Sequence, residues 1–169
     1  ILHNRIYSIV KTIISPFQHG FMEKRSTVSN LTCFTQEILA VLDSGGQVDV
    51  LYTDFEKAFD QVDYFLLLNK LHLLGFSNLL LKLFHSYLIG SEHCVRYRNC
   101  VSRSFFPTSG IPLGSNLGPL LFLLFINDIC NVITCNKLLF ADDLKIFLEI
   151  KCIEDWHRIQ DNYNSLLLW

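Results

Sequence analysis

The chain has 169 residues, of which 50% are hydrophobic and 18% are charged; an ordinary soluble domain carries about 25% charged residues. Its length fits one domain or a piece of a larger one, and its apolar excess predicts surface that other parts of a larger protein cover. The net charge of −2 does not favour a free-standing nucleic-acid binder. The six cysteines include no Cys-x-x-Cys pair, which excludes a zinc finger and favours reduced thiols in an intracellular protein.

The first third of the chain predicts two helices followed by a strand. Residues 1–14 carry apolar groups at helical spacing, and Ser15-Pro16 ends this helix because the residue before proline avoids the helical region. A second helix runs from Ser26 to Leu42 and is closed by a Gly-rich turn. The segment Val48–Phe55 is β-branched and aromatic, and its mostly apolar run predicts a central strand that is buried on both faces.

The rest of the chain predicts further helices and two hairpins. The helices are Tyr64–Leu74 with Gly75 at its end, a segment from Ser77 to Gly90, a buried helix after the loop 107–115, and a segment from Glu154 onward; the hairpins are His93–Phe106 and Lys137–Phe147. The longest apolar stretch, 117–126, is much shorter than the about 20 residues of a membrane span, so no membrane segment is expected. The interleaved elements predict an α+β domain, an antiparallel sheet with helices on one face.

Three aspartates stand where an acidic residue is costly. Asp54 ends the predicted strand, and Asp142 and Asp143 split an otherwise apolar hairpin. Burying unpaired carboxylates costs several kcal/mol unless a cation compensates, and converging carboxylates commonly hold two Mg²⁺ ions about 3.5–4 Å apart. From the residues alone two interpretations remain open: a metal site, or an ordinary turn and helix cap in which aspartate is favoured anyway.

Three sequence blocks favour the metal site. They are YTDFEKAFDQVD at Tyr52–Asp63, SGIPLGSNLGPLLFLLFINDI at Ser109–Ile129 and FADDLKIF at Phe140–Phe147. In this order and spacing they resemble the core motifs of non-long-terminal-repeat (LINE-type) reverse transcriptases, and SPFQHGF at Ser15–Phe21 and the closing run are weaker matches. The resemblance implies a reverse-transcriptase palm at 47–169, partial fingers in the helices of 1–46, and an absent thumb.

The resemblance also implies the catalytic centre. Asp54, Asp142 and Asp143 match the family's catalytic, metal-binding carboxylates, and the backbone carbonyl of Phe55 is a further expected ligand. The implied cofactors are two Mg²⁺ ions, for which Mn²⁺ can substitute. Phe59 matches the bulky side chain that lies under the incoming sugar and disfavours a ribose 2′-hydroxyl.

Further residues are expected to contact the nucleotide or the template. Lys57 and Ala58 fall where backbone N–H groups of the family face the triphosphate. Gly114 and Ser115 lie in the loop that packs against the template and the nascent base pair, and Ser115 is also a plausible helix cap. Leu113 stands where the family usually has a glutamine that hydrogen-bonds near the template base, which leaves the activity of this chain open.

The resemblance implies an RNA-directed DNA polymerase that adds dNTPs to a primer 3′-hydroxyl. The expected partners are an RNA template, a DNA primer, and a retrotransposon polyprotein that supplies the remaining fingers, the thumb and, in some elements, an endonuclease. The expected location is a cytoplasmic ribonucleoprotein or the nucleus. Two alternatives stay open. One is a decayed or host-adopted remnant that binds nucleic acid or protein without catalysis. The other is a related palm polymerase: a group II intron enzyme, whose motifs resemble this chain less closely than those of LINE-type elements, or a viral RNA polymerase, which Ala141 and Phe59 oppose.

Overall fold

The computed structural model describes residues 1–112 and 114–169. The helices are α1 Leu2–Val10, α2 Thr27–Asp43, α3 Tyr64–Leu73, α4 Asn78–Leu88, α5 Gly118–Ile126, α6 Ile129–Val132 and α7 Ile153–Leu168, and the strands are β1 Gln47–Thr53, β2 Arg96–Tyr97, β3 Cys100–Val101, β4 Asn136–Phe140 and β5 Asp143–Ile150. The chain forms two compact units: a sheet unit, Ile1–Glu56 with Ile126–Trp169, and a hairpin unit, Lys57–Phe125. The predicted mixture of helices with antiparallel strands is confirmed.

An antiparallel sheet with strand order β1-β5-β4 forms the centre of the sheet unit. Leu144 of β5 pairs with Thr53 of β1 on one side and with Leu139 of β4 on the other. The central strand is therefore β5, and the prediction that β1 is a central strand buried on both faces is wrong. Within this sheet β1 hydrogen-bonds only to β5, and none of its residues is fully buried.

Helix α2 packs on one face of this sheet. Its first turn is closed by a capping box, in which the Ser26 hydroxyl accepts from the Ser29 N–H at 3.2 Å and the Ser29 hydroxyl accepts from the Ser26 N–H at 2.9 Å. The Phe34 ring of α2 meets Phe147 edge-on at 5.2 Å and shares a core with Leu138. Leu144 and Ile146 are also buried and, by strand alternation, point to the other face of β5. The central strand β5 therefore has buried side chains on both faces of the sheet.

The hairpin unit contains α3, α4, the β2–β3 hairpin and most of α5. Asp63 and Ser77 cap α3 and α4 by accepting from backbone N–H groups three residues ahead. Gly110 has a φ of 97° and approaches Asp60 so closely that a Cβ atom would lie 2.9 Å from the Asp60 carbonyl oxygen. Glycine is therefore required where the loop before α5 crosses the segment before α3.

None of the helices in the described part of the chain is long and apolar enough to span a membrane.

Candidate active site

The three aspartates lie at one end of the three-stranded sheet. Asp54 directly follows the last residue of β1, and Asp143 is the first residue of β5. Because Thr53 pairs with Leu144, Asp54 and Asp143 are neighbours one position beyond that pair. Asp142 occupies the two-residue turn between β4 and β5. The strand register therefore places the three aspartates at the same end of the sheet.

The carboxylates are more accessible than their apolar flanks suggested. Asp54 and Asp143 are exposed and Asp142 is half-buried, so the expectation of acids embedded in core strands is wrong. The reason is that they stand at strand ends, where pairing stops and water has access. The three carboxylate groups have no hydrogen-bond or ion-pair partner among residues 1–112 and 114–169. All three are consequently available to a ligand.

The side chains do not form a closed ligand set. Within the described residues, no three His, Cys, Asp or Glu side chains are grouped tightly enough to hold a metal ion. Like charges repel one another at short range, so carboxylates without a cation are expected to point apart. Their chemistry nevertheless fits a divalent cation, because Mg²⁺ and Mn²⁺ prefer carboxylate oxygens and these three have no competing partner.

An open cavity of about 470 Å³ adjoins the aspartates. The first turns of α2, the end of β1 and the β4–β5 hairpin line it, and both Asp54 and Asp143 contribute to the wall. Its one lysine, Lys145, donates to the Asn30 side-chain oxygen at 3.0 Å and lies 5.0 Å from the centre of the Phe34 ring. Lys145 is thus held on the α2 side of the cavity by its contacts with Asn30 and Phe34.

One buried side chain holds the turn that carries Asp142. The backbone N–H of Ala141 donates to the Gln18 side-chain oxygen at 2.8 Å, and the Gln18 side-chain nitrogen donates to the Ala141 carbonyl at 3.1 Å. The same Gln18 oxygen accepts from the Gly20 N–H at 2.8 Å. Gln18 is only 3% exposed. The sequence had assigned no role to this residue beyond membership of a weak family match.

The segment around Gln18 also pairs with β4. Leu139 donates to the Phe17 carbonyl at 2.9 Å, and its own carbonyl accepts from the His19 N–H at 2.8 Å. A Cβ atom on Gly20 would lie 2.2 Å from the Ala141 nitrogen, so no larger residue fits there without displacement. The short motif Gln-His-Gly, with a polar residue and a glycine between aromatic residues, was the available signal for this contact.

His19 is buried beside these contacts. Its Nδ1 atom lies 2.8 Å from the Ser29 hydroxyl. Burial lowers the pKa of His19, and the positive charges of Arg25 and Lys145 lower it further. The imidazole is therefore neutral at neutral pH, and it adds no positive charge to the site.

The remaining predicted residues show local packing. The Phe55 ring meets Trp169 at 6.3 Å in the sheet unit, and the Phe59 ring stacks on Phe122 at 4.1 Å in the hairpin unit. Ser115 caps α5 as expected, accepting from the Gly118 N–H at 2.9 Å. The predicted template-loop residue Leu113 lies outside the described residues.

The other predicted nucleotide and loop residues are Lys57, Ala58 and Gly114, and two of them have a positive φ. Lys57 is exposed with a φ of 49°, Ala58 is half-buried, and Gly114 has a φ of 77°. The positive φ of Lys57 is unusual for a residue with a side chain, and it opens a turn in which the Asp60 and Gln61 N–H groups both donate to the Lys57 carbonyl.

Two residues of the second sequence block make hydrogen bonds to distant parts of the chain that the sequence did not reveal. Asn127 accepts from the Ser15 N–H at 2.7 Å and donates to the Ile13 carbonyl at 3.0 Å. Asp128 accepts from the Trp169 indole at 3.0 Å. They tie the segment before Pro16 and the last described residue to the sheet unit, contacts that no local pattern predicts.

Comparison with known proteins identifies the family. The model of the reverse transcriptase (RNA-dependent DNA polymerase) family matches residues 1–167. The chain belongs to the reverse transcriptase family. The predicted resemblance to its LINE-type members is also confirmed, because the similar curated proteins are polymerases of such mobile elements.

Three of these reverse transcriptases come from fruit flies. The probable RNA-directed DNA polymerase from transposon BS of Drosophila melanogaster is 29% identical over 180 residues, covering 100% of this chain and 20% of that protein. The corresponding protein from transposon X-element is 32% identical, covering 89% and 17%. The polymerase from mobile element jockey of Drosophila funebris is 28% identical, covering 95% and 18%. The chain spans about a fifth of the length of these relatives.

Proposed function

We propose that this chain is the catalytic part of an RNA-directed DNA polymerase encoded by a non-long-terminal-repeat retrotransposon. In the reaction, the 3′-hydroxyl of a DNA primer attacks the α-phosphorus of a dNTP selected by an RNA template, and pyrophosphate leaves. The observation that carries this proposal is the placement of Asp54, Asp142 and Asp143 at one sheet end, without a partner among the described residues, in a chain of this family.

The three aspartates and the Phe55 carbonyl are the proposed ligands of two Mg²⁺ ions, with Mn²⁺ as a substitute. When bound, such ions lower the pKa of the attacking hydroxyl and stabilise the charge on the transferring phosphoryl group. The protein's own contribution is positional. The register of β1 with β5 sets Asp54 beside Asp143, and the β4–β5 turn carries Asp142 next to them.

Substrate selection is proposed to involve residues of the hairpin unit. Phe59 disfavours a ribose 2′-hydroxyl, and the backbone N–H groups of Lys57 and Ala58 bind the triphosphate. Leu113, Gly114 and Ser115 contact the template. These assignments rest on the sequence motifs, and the positive φ of Lys57 supports a turn that exposes N–H groups.

We further propose that residues 47–169 form the palm and residues 1–46 the adjoining part of the fingers. The remaining fingers, the thumb and, in elements that encode one, an endonuclease are assigned to the rest of the polyprotein. The whole protein is expected in a cytoplasmic ribonucleoprotein particle and at nuclear DNA.

Primer extension on poly(rA)/oligo(dT) with Mg²⁺ or Mn²⁺ tests the function. Where the unchanged chain extends the primer, we expect a loss of at least about 1000-fold in Asp142→Asn, because removing a catalytic charge costs several kcal/mol of transition-state stabilisation. Asp161→Asn, which changes an exposed aspartate of α7, is the matched control and should retain activity. Extension by Asp142→Asn at the unchanged rate would contradict the proposed site.

A non-catalytic remnant that binds nucleic acid or protein is the alternative. Leu113 in place of the usual glutamine favours it, and the presence of all three aspartates opposes it. Absence of extension that persists after the remaining fingers and the thumb are restored and Leu113 is replaced by glutamine, together with retained binding of the template–primer duplex, would support the remnant.

A further inference from the structure

The turn that carries Asp142 has a backbone conformation that needs outside support. Ala141, its first residue, has a φ of 56°, in the left-handed region where residues other than glycine are disfavoured. The pairing of Phe140 with Asp143 leaves only Ala141 and Asp142 to reverse the chain. The direction of the Asp142 side chain therefore depends on how firmly the Ala141 backbone is held.

Gln18 supplies that support through both ends of its amide. Its oxygen accepts from the Ala141 N–H at 2.8 Å while its nitrogen donates to the Ala141 carbonyl at 3.1 Å. The two peptide groups that flank Ala141 are thus tied by a single side chain from 123 residues away in the sequence. The amide carries both the donor and the acceptor that this arrangement needs.

The position of Gln18 is in turn fixed by its neighbours. Its oxygen also accepts from the Gly20 N–H at 2.8 Å, and the backbone on either side of Gln18 pairs with Leu139. Gly20 lies against Ala141 with no room for a Cβ atom. The buried Gln18 amide therefore has a fixed orientation, and its hydrogen-bond capacity is directed at the turn.

We propose that Gln18 is a positioning residue, which holds the Ala141 backbone so that the Asp142 carboxylate points toward Asp54 and Asp143 when a divalent cation binds. The inference rests on the proposed function of the three aspartates. Gln18 itself touches neither the cation nor the nucleotide. Its loss should weaken cation binding by letting the turn adopt other conformations, while the remainder of the sheet stays intact.

Direct Mn²⁺ binding, measured by electron paramagnetic resonance of the free ion, tests this role without relying on activity. The principal variant is Gln18→Asn, whose amide remains polar in the buried position but is one methylene too short to reach both groups of Ala141. We expect its Mn²⁺ affinity to fall about tenfold, the effect typical of losing a residue that orients a metal ligand. Gln160→Asn is the matched control, because Gln160 is exposed on α7 and, within the described part of the chain, its amide donates only to the Asn164 side chain.

Hydrogen exchange of the backbone amides separates this role from general destabilisation. In Gln18→Asn the Ala141 N–H should exchange faster, while the Leu144 and Ile146 amides of the central strand keep their protection. Equal acceleration at all three positions would mean that the variant simply unfolds more readily, and the positioning role would be overturned.

The outcomes separate the two proposals. If Asp142→Asn abolishes Mn²⁺ binding and Gln18→Asn leaves the affinity within twofold of the unchanged chain, the aspartate site stands and the positioning role is wrong. If the unchanged chain shows no Mn²⁺ binding that depends on Asp142, the proposed metal site fails and the positioning role fails with it. A tenfold loss in Gln18→Asn with an unchanged Gln160→Asn supports both.

Discussion

Two hairpins of this protein have the same local geometry in very different surroundings. In the sheet unit, Phe140 pairs with Asp143 around a two-residue turn, and in the hairpin unit Tyr97 pairs with Cys100 around another. Both turns begin with a left-handed residue that is not glycine: Ala141 at φ 56° and Arg98 at φ 52°.

The two turns are held in different ways. Ala141 is buried and tied by the Gln18 amide. Arg98 is exposed, with its guanidinium carbon 5.3 Å from the centre of the neighbouring Tyr97 ring. An exposed turn of this kind can fray without consequence for the rest of the fold, whereas the buried turn is held by distant residues. Distant support for a strained turn is characteristic of a position where side-chain direction matters.

The largest expected effect on stability comes from adding a side chain where Gly20 lies against the buried turn at Ala141. In Gly20→Ala the new Cβ atom would meet the Ala141 nitrogen at 2.2 Å, so backbone must move, and we expect a loss of about 3 kcal/mol or more in the free energy of unfolding. Gly45→Ala is the control: it adds a Cβ atom in open space at φ 78°, which should cost about 1 kcal/mol. Urea denaturation measures both, and equal losses would mean that the contact between Gly20 and Ala141 is unimportant.

An intermediate effect should come from relieving the left-handed residues themselves. Ala141→Gly removes the strain in a turn that belongs to the cooperative fold, so we expect a gain of about 1 kcal/mol in the free energy of unfolding. Arg98→Gly relieves the same strain in exposed two-residue strands that open locally, and it loses the contact with Tyr97. Its effect should be close to zero, and an equal gain in both variants would contradict the difference drawn between the two hairpins.

The smallest expected effect concerns pH. The pKa of His19 is lowered by burial and by nearby positive charge, so the unfolded chain takes up this proton at a higher pH than the folded chain does. The contribution of neutral His19 to the free energy of unfolding is fully present above the ordinary histidine pKa of about 6.5, and it is lost as the pH falls below that value. His19→Gln should therefore flatten the decline in thermal stability between pH 7 and pH 5.5, and an unchanged decline would show that other groups cause it.

Most local features of the fold could be predicted from the residues nearby. The caps at Ser77 and Ser115 and the positive φ of Gly75 each depend on conformational preferences within a few residues. The same holds for both hairpins and for the apolar helix α5. The predicted helix over residues 1–14 is shorter in the structure, where α1 ends at Val10, well before Ser15-Pro16. The three aspartates could be singled out because their blocks match family motifs in order. The cost of burying an acid was not the correct reason, because Asp54 and Asp143 are exposed and Asp142 is half-buried.

The tertiary structure alone decided the order of the strands, the exposure of the aspartates and the support of their turn. An apolar run does not reveal which neighbour a strand pairs with, so the sequence predicts a central position for β1 although β5 is the central strand. The link from Gln18 to Ala141 joins residues 123 positions apart, and the link from Asn127 to Ser15 joins residues 112 apart. Local preferences act over a few residues, whereas these contacts form only when the sheet brings distant segments together. The sequence by itself therefore determined the elements and the identity of the acids, but not what holds them in place.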